Sequence, residues 1–172
     1  AEEKLLEIAA CAKKLGIELF VLDDGWFGRR WDANDSLGAW VENLQKLPHG
    51  LKGVSQRVVD MGLRFGLWFE PEMVSVNSNL YREHPDWIVK VPGRHPSFGR
   101  NQLVLDLSRE DVCDFIIQAV SRVLEDSNIS YIKWDMNRHI TESGSALLPP
   151  ERQGAVKHRY MLALYHEKEV LT

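Results

Sequence analysis

Apolar residues along the chain follow two patterns in turn, one helical and one continuous. Leu5, Ile8 and Ala12 recur at the three- to four-residue spacing that places side chains on one face of an α-helix. Gly16 ends this pattern, and the run 17–22 (IELFVL) that follows is apolar except for one glutamate. A short run of this kind is typical of a strand that is covered on both faces, as in a parallel sheet. The start of the chain therefore predicts a helix followed by a buried strand.

The same order of helix and strand recurs twice farther along. A helical pattern over 50–61 precedes the run 63–69, and another over 112–123 precedes the run 129–134. A further helical pattern begins at 156. Helices that alternate with buried strands indicate parallel pairing through helical crossovers. This α/β pattern fits a doubly wound sheet or a (β/α)8 barrel, and no glycine-rich phosphate-binding motif follows any strand to support a nucleotide site.

Charged residues follow each of the three predicted strands. Asp23 and Asp24 follow the first, Glu70 follows the second, and Lys133 and Asp135 close the third. In parallel barrels the active site is built at the carboxyl ends of the strands, from residues of several strands. A single acidic strand end is more often a solvated loop or a helix cap, but three in succession favour a functional site.

Each of these strand ends also carries a tryptophan, namely Trp26, Trp68 and Trp134. Carboxylates accept hydrogen bonds from sugar hydroxyls, and an aromatic face can pack against the apolar side of a pyranose ring. Any one of these tryptophans alone is more often part of a core. Together with the acids, they predict a carbohydrate site.

Charge and composition narrow the candidate functions further. The 172 residues carry a net charge of -4, which offers no basic surface for nucleic acid. No apolar run approaches the roughly 18 residues that a membrane span needs, and the six histidines show no HxH or HExxH spacing. Lys133 lies two residues before Asp135 and hence on the same face of a strand, where its ammonium opposes a cation and lowers the pKa of the carboxyl. We therefore expect no metal and no cofactor, and Asp135 suits a nucleophile better than a general acid.

Four segments of the chain resemble glycoside hydrolase family 36, the bacterial α-galactosidases of melibiase type. They are LFVLDDGWFG (19–28), GLWFEPEMV (66–74), RNQLVLDLS (100–108) and YIKWDMNR (131–138). The resemblance covers essentially all 172 residues and implies a catalytic (β/α)8 TIM barrel. Residues 1–172 are then expected to form a single partial barrel domain, truncated at both ends, with roughly strands 2–4, helices 1–3 and the start of helix 4.

The resemblance also implies an activity and a set of site residues. Family members are retaining enzymes that hydrolyse terminal α-1,6-linked galactose from sugars such as melibiose and raffinose by double displacement, without a cofactor. The family's nucleophile falls on Asp135. The residues that bind the galactoside fall on Asp23, Asp24, Trp68, Arg100, Lys133, Trp134 and Asn137. The family's acid/base residue lies downstream of this chain, so we expect the chain alone to be inactive.

Two alternatives remain open from the sequence. One is a non-catalytic galactose-binding barrel module, and the other is a galactosyl transferase of raffinose-synthase type. The resemblance further implies a full-length homotetramer in the bacterial cytoplasm, with a galactoside as its partner and neither nucleic acid nor membrane.

Overall fold

The computed structural model describes residues 1–32 and 35–172, which form five α-helices, five strands and one 3₁₀ helix. The helices are α1 (Glu2–Lys14), α2 (Gly50–Asp60), α3 (Asn79–Glu83), α4 (Glu110–Glu125) and α5 (Val156–Val170), with the 3₁₀ helix at Pro150–Ala155 directly before α5. The strands are β1 (Leu19–Leu22), β2 (Arg64–Phe69), β3 (Met73–Ser75), β4 (Gln102–Val104) and β5 (Tyr131–Trp134).

Three of the strands form a parallel sheet in the order β1-β2-β5. Leu22 pairs with Leu67, and Leu67 pairs with Ile132, so the three strands end nearly level with one another. These are the three strands that the continuous apolar runs predict, and each begins one or two residues later than its run. Parallel pairing with helices between the strands is therefore confirmed, and the chain is an α/β structure.

The apolar faces of α2 and α4 are buried as their periodicity predicts, but the prediction for α1 is wrong: Leu6 is buried, whereas Ile8 is 49 % exposed. The buried apolar side chains of these helices include Leu6, Ala9, Val54, Val58, Val112, Ile116 and Val120. Complete burial of a valine or leucine stabilises a fold by about 1.5–3 kcal/mol relative to its exposure. These side chains belong to the same apolar core as Leu22, Leu67 and Phe69 of the parallel strands.

The sequence does not predict the two antiparallel strands that lie between β2 and α4 in the chain. Strand β3 pairs with β4, with Met73 opposite Val104 and Ser75 opposite Gln102. Each strand has only three residues, all of them buried, so neither shows an alternation of apolar and polar positions. This pair brings Gln102 close to the end of β2, next to Glu70.

The second face of the parallel sheet is partly open. Tyr131 is 48 % exposed on this face, opposite Gly66. Within the described parts of the chain, no further strand pairs with the outer edge of β1 or of β5. Closure into a barrel therefore stays a prediction. None of the described helices is long and apolar enough to cross a membrane.

Candidate active site

The carboxyl ends of the three parallel strands bring Asp23, Lys133 and Asp135 together. The register pairs Trp68 with Lys133, and Asp23 directly follows the residue that pairs with Leu67. Because side chains alternate along a strand, Asp23, Trp68 and Lys133 point to the same side of the sheet. The ammonium of Lys133 donates a hydrogen bond to Asp23 Oδ2 over 2.6 Å.

The lysine and the aspartate each favour the charged form of the other. Partial burial raises the pKa of Asp23, but the hydrogen bonds from Lys133 and from the Asp24 backbone N–H outweigh it and leave this pKa below its ordinary value. The hydrogen bond to Asp23 in turn raises the pKa of Lys133. Asp23 is therefore a carboxylate at neutral pH, able to accept hydrogen bonds and unable to donate one.

Three donors surround the carboxylate of Asp135. Trp68 Nε1 lies 2.9 Å from Oδ2, Asn137 Nδ2 lies 2.8 Å from Oδ2, and the backbone N–H of Met136 donates to Oδ1 over 2.9 Å. Burial acts to raise the pKa of Asp135, but these donors and the charge of Lys133 together lower it below its usual range. An ionised carboxylate with a fixed orientation at the strand ends has the properties of a nucleophile.

Asp24 is held by an arginine that the sequence pattern does not predict. Arg30 is almost completely buried and contacts Asp24 through two parallel hydrogen bonds, Nε to Oδ1 and Nη2 to Oδ2, each 3.0 Å long. A fork-like pair of this kind fixes the plane of the carboxylate as well as its position. The side chain of Asp24 is still 39 % exposed, so it remains accessible to a ligand.

The prediction that Trp26 and Trp68 offer open aromatic faces is wrong. Each is only 2 % exposed, since both lie in an aromatic cluster with Phe27, Trp40 and Phe69. The indole N–H of Trp26 donates to the carbonyl of Trp68 over 2.9 Å. Trp68 thus acts on the site through its N–H group, which contacts Asp135, and its ring is not available to stack on a sugar.

Trp134 is also misplaced by the sequence prediction, because it lies on the opposite side of β5 from Lys133 and Asp135. Its indole N–H donates to Glu72 Oε1 over 2.9 Å, and the ammonium of Lys168 lies 5.7 Å from its ring centroid. These partners place Trp134 between the sheet and α5. The structure therefore does not bring it together with the other predicted binding residues.

Arg100 lies in the turn that leads into β4. Its φ angle of 52° is in the left-handed region, and its side chain is exposed. Its positive charge acts to lower the pKa of Glu70, so its guanidinium is in electrostatic range of the strand ends. Within residues 1–32 and 35–172, no three histidine, cysteine or acidic side chains are arranged to hold a metal ion.

Comparison with known proteins identifies the family. The family model described as Melibiase matches residues 1–172. The chain is 61 % identical over 171 residues to alpha-galactosidase AgaA of Geobacillus stearothermophilus and 53 % identical over 171 residues to alpha-galactosidase 1 of Pediococcus pentosaceus. Each match covers 99 % of this chain, but only 24 % and 23 % of the respective relative.

Solved structures show the same similarity. A variant of the Geobacillus stearothermophilus enzyme, crystallised with raffinose, superposes with a TM-score of 0.96, and the Lactobacillus brevis α-galactosidase with one of 0.95 at 50 % identity. Both matches cover 99 % of this chain and 24 % and 23 % of those chains. The chain thus spans about a quarter of the length of its relatives. It belongs to the melibiase family, the α-galactosidases of glycoside hydrolase family 36.

Proposed function

We propose that the full-length protein carrying this chain is a retaining α-galactosidase, with Asp135 as its nucleophile. The observation that carries this proposal is the set of three donors, from Trp68, Met136 and Asn137, that holds Asp135 ionised at the strand ends. Membership of a family of α-galactosidases supports the hydrolysis of α-galactosides as the reaction class. Closure of the sheet into a (β/α)8 barrel is part of the same proposal.

In this mechanism the carboxylate of Asp135 attacks the anomeric carbon of the galactosyl residue while a second carboxyl protonates the departing oxygen. A covalent galactosyl–Asp135 ester forms, and water then cleaves it with the second residue acting as a base. In retaining glycosidases the two carboxyl groups lie about 5–5.5 Å apart. Asp135 supplies the nucleophile of this pair.

The other acids at this end of the described sheet are poor candidates for the proton donor. Asp23 is held ionised by Lys133, so it carries no proton to give near neutral pH. Glu70 is completely buried, so a leaving group cannot reach it. We therefore place the acid/base residue outside residues 1–172.

Charged and polar groups at the strand ends supply contacts for sugar hydroxyls. Asp23 and Asp24 act as acceptors, and Lys133, Asn137 and Arg100 act as donors. We propose α-1,6-linked galactosides such as raffinose as substrates, because variants of the Geobacillus stearothermophilus enzyme were crystallised with raffinose and with stachyose. The homotetramer and the cytoplasmic location stay predictions from the resemblance.

Mechanism-based labelling tests this proposal directly. The full-length protein is incubated with a galactosyl label that traps the covalent intermediate, and the modified peptide is identified by mass mapping. We expect one label per chain, on Asp135. The matched control is Asp135→Asn, which keeps the shape of the side chain, lacks the nucleophile and should remain unlabelled while it still binds galactose.

The same experiment separates the alternatives. A wild-type protein that binds galactose without acquiring a label is a galactose-binding module, and a label on another residue overturns the assignment of Asp135. If Asp135 is labelled but added sucrose receives the galactosyl group faster than water does, the protein is a transferase of raffinose-synthase type.

A further inference from the structure

Glu70 is a buried acid beside the proposed nucleophile, and the mechanism above gives it no part. It directly follows β2 and has no exposed surface, so it cannot touch a substrate. Burial raises the pKa of Glu70, and the negative charge of Asp135 acts in the same direction. Keeping an acid in such a place costs free energy unless its hydrogen bonds compensate, so its partners indicate what it does.

The partners of Glu70 lead to the segment that carries the nucleophile. Its Oε1 accepts a hydrogen bond of 2.6 Å from the backbone N–H of Asn137, and its Oε2 accepts a longer one of 3.4 Å from Gln102 Nε2. The side-chain amide of the same Asn137 donates to Asp135 Oδ2 over 2.8 Å. Asn137 is therefore hydrogen-bonded to Glu70 through its backbone and to Asp135 through its side chain.

We propose that Glu70 is a positioning residue for Asp135, acting through the backbone of Asn137. The hydrogen bonds between β2 and β5 end at Asp135, whose backbone N–H donates to the carbonyl of Phe69 over 2.8 Å, and Asn137 lies just beyond this point. The carboxylate of Glu70 accepts the backbone N–H of Asn137 in place of the backbone carbonyl that would accept it if the strand continued. This keeps the side-chain amide of Asn137 within hydrogen-bond distance of Asp135. This inference rests on the proposed function for its kinetic consequence, but its structural consequence is independent of it.

Glu72 provides a matched comparison two residues away. It is also buried, and it accepts hydrogen bonds from Trp134 Nε1 over 2.9 Å and from the Tyr160 hydroxyl over 2.5 Å. Both partners lie on the side of the sheet that faces α5. Substitution of Glu72 therefore tests what the loss of a buried acid does to the fold, without removing support from Asn137.

The experiment uses four variants of the full-length protein: Glu70→Gln, Glu70→Met, Glu70→Asp and Glu72→Met. Gln and Met both remove the charge and nearly conserve volume, but only Gln keeps an acceptor for Asn137. Asp keeps the charge and retracts the carboxylate by one methylene. Initial rates with p-nitrophenyl α-D-galactopyranoside are measured against pH, together with Tm. Crystal structures of Glu70→Met and Glu70→Asp give the distance from Asn137 Nδ2 to Asp135 Oδ2.

We expect kcat of Glu70→Met to be about tenfold to a hundredfold below that of Glu70→Gln, a loss typical of a misplaced catalytic group, and to fall by more than KM rises. The acidic limb of kcat/KM should lie at higher pH in Glu70→Met than in Glu70→Gln, because a nucleophile without the Asn137 hydrogen bond is protonated more easily. For the same reason, the limb of Glu70→Asp should lie at higher pH than that of the wild type. Glu72→Met should lower Tm and leave the acidic limb in place.

Equal acidic limbs in Glu70→Met and Glu70→Gln, or an unchanged distance from Asn137 to Asp135 in the variant crystals, overturn the role of Glu70. If Glu70→Met does not fold, Glu70→Asp decides the question by the same two readouts. A wild-type protein without turnover overturns the proposed function alone, since the distances in the crystals still test Glu70.

Discussion

At the scale of single residues, the ionisation of Asp135 depends on hydrogen-bond donors more than on the nearby lysine. Trp68, Asn137 and Met136 contact the carboxylate, whereas Lys133 contacts Asp23 and acts on Asp135 only through its charge. Lys133 and Asp23 are 44 % and 59 % exposed at their side chains. Exposed ion pairs of this kind contribute about 0–1 kcal/mol to stability, so this pair is explained better by ligand binding than by the fold.

Substitution of Lys133 should therefore affect activity without affecting stability. In Lys133→Met the pKa values of Asp23 and Asp135 rise, because both lose the influence of a positive charge. A carboxylate whose pKa rises is ionised only at higher pH, so the acidic limb of kcat/KM should move to higher pH. We expect kcat/KM at pH 7 to fall by about tenfold to a hundredfold, the equivalent of one hydrogen bond to a charged group at about 1.5–3 kcal/mol.

The measurement is a pH–rate profile of the full-length protein beside a thermal melt. Lys14→Met, which removes an exposed lysine from α1, is the matched control and should retain the wild-type profile. A large fall in Tm for Lys133→Met would show that the Lys133–Asp23 pair is structural instead.

Trp68 and Trp26 offer a second test at this scale, because both are buried in one aromatic cluster and both donate one hydrogen bond. Trp68→Phe removes the N–H that contacts Asp135, and Trp26→Phe removes the N–H that contacts a backbone carbonyl. Each loss should destabilise the fold by about 1–3 kcal/mol. Only Trp68→Phe should also raise the pKa of Asp135 and move the acidic limb of kcat/KM to higher pH. Identical pH profiles in the two variants would contradict the role given to the Trp68 indole.

At the scale of secondary-structure elements, the sequence predicts what depends on local patterns. The three apolar runs and the helical spacing identify β1, β2, β5 and the helices around them, since a strand of a parallel sheet gives a continuous apolar run and a helix buried on one face gives a period of three to four residues. Strands β3 and β4 could not be predicted, because a three-residue strand is too short to show one. The nucleophile candidate and its lysine follow from their place at the strand end.

The aromatic part of the site could not be predicted for a different reason. A tryptophan next to an acid has the same sequence pattern whether its ring is open to ligand or is buried in the core. Phe27 and Trp40 pack against Trp68, and Lys168 of α5 lies near Trp134. Those placements depend on contacts between elements far apart in the chain. The role of Arg30 escapes prediction for the same reason, whereas the sequence indicates for Glu70 a structural or supporting part without naming its partner.

Helix α5 carries a buried acid that should make stability depend on pH. Glu167 has no exposed surface, and among the described residues only the weakly donating thiol of Cys113 is directed at its carboxyl group. Burial raises its pKa from an ordinary 4.5 to about 8; the charge of Glu72 adds to this rise, and Cys113 and Lys168 oppose it. Between these two pH values the folded protein holds a proton that the unfolded chain has lost. Stability therefore falls as pH rises through this window, by at most about 1.4 kcal/mol per pH unit.

Glu167→Gln should remove this dependence, because an amide is neutral at every pH in the window. Between about pH 5.5 and about pH 7.5, which both lie inside this window, we expect Tm of the full-length variant to change less than Tm of the wild type. Glu169→Gln, on an exposed position of α5, is the control and should follow the wild type. If Glu167→Gln and the wild type show parallel curves, Glu167 is ionised in the folded protein.

At the scale of the whole molecule, the sheet and its helices expose large apolar side chains to solvent. Tyr131 is exposed on the open face of the sheet, Ile8 on α1, and Leu162 and Tyr165 on α5. Exposed apolar patches and unpaired strand edges favour association with other chains or segments. The relatives are about four times as long as this chain, which is consistent with cover from other parts of the same polypeptide.

This arrangement predicts how residues 1–172 behave when they are produced alone. Asp135 and its donors are present, but the acid required to protonate the leaving oxygen is not supplied by Asp23 or Glu70, and general acid catalysis contributes about a hundredfold to ten-thousandfold. We expect no measurable turnover of p-nitrophenyl α-D-galactopyranoside by the isolated chain and rapid turnover by the full-length protein. Sedimentation should show the isolated chain associating through its uncovered strand edges and apolar surface. Turnover by the isolated chain that disappears in its Asp135→Asn variant would contradict this prediction, because it would place a complete catalytic pair within these 172 residues.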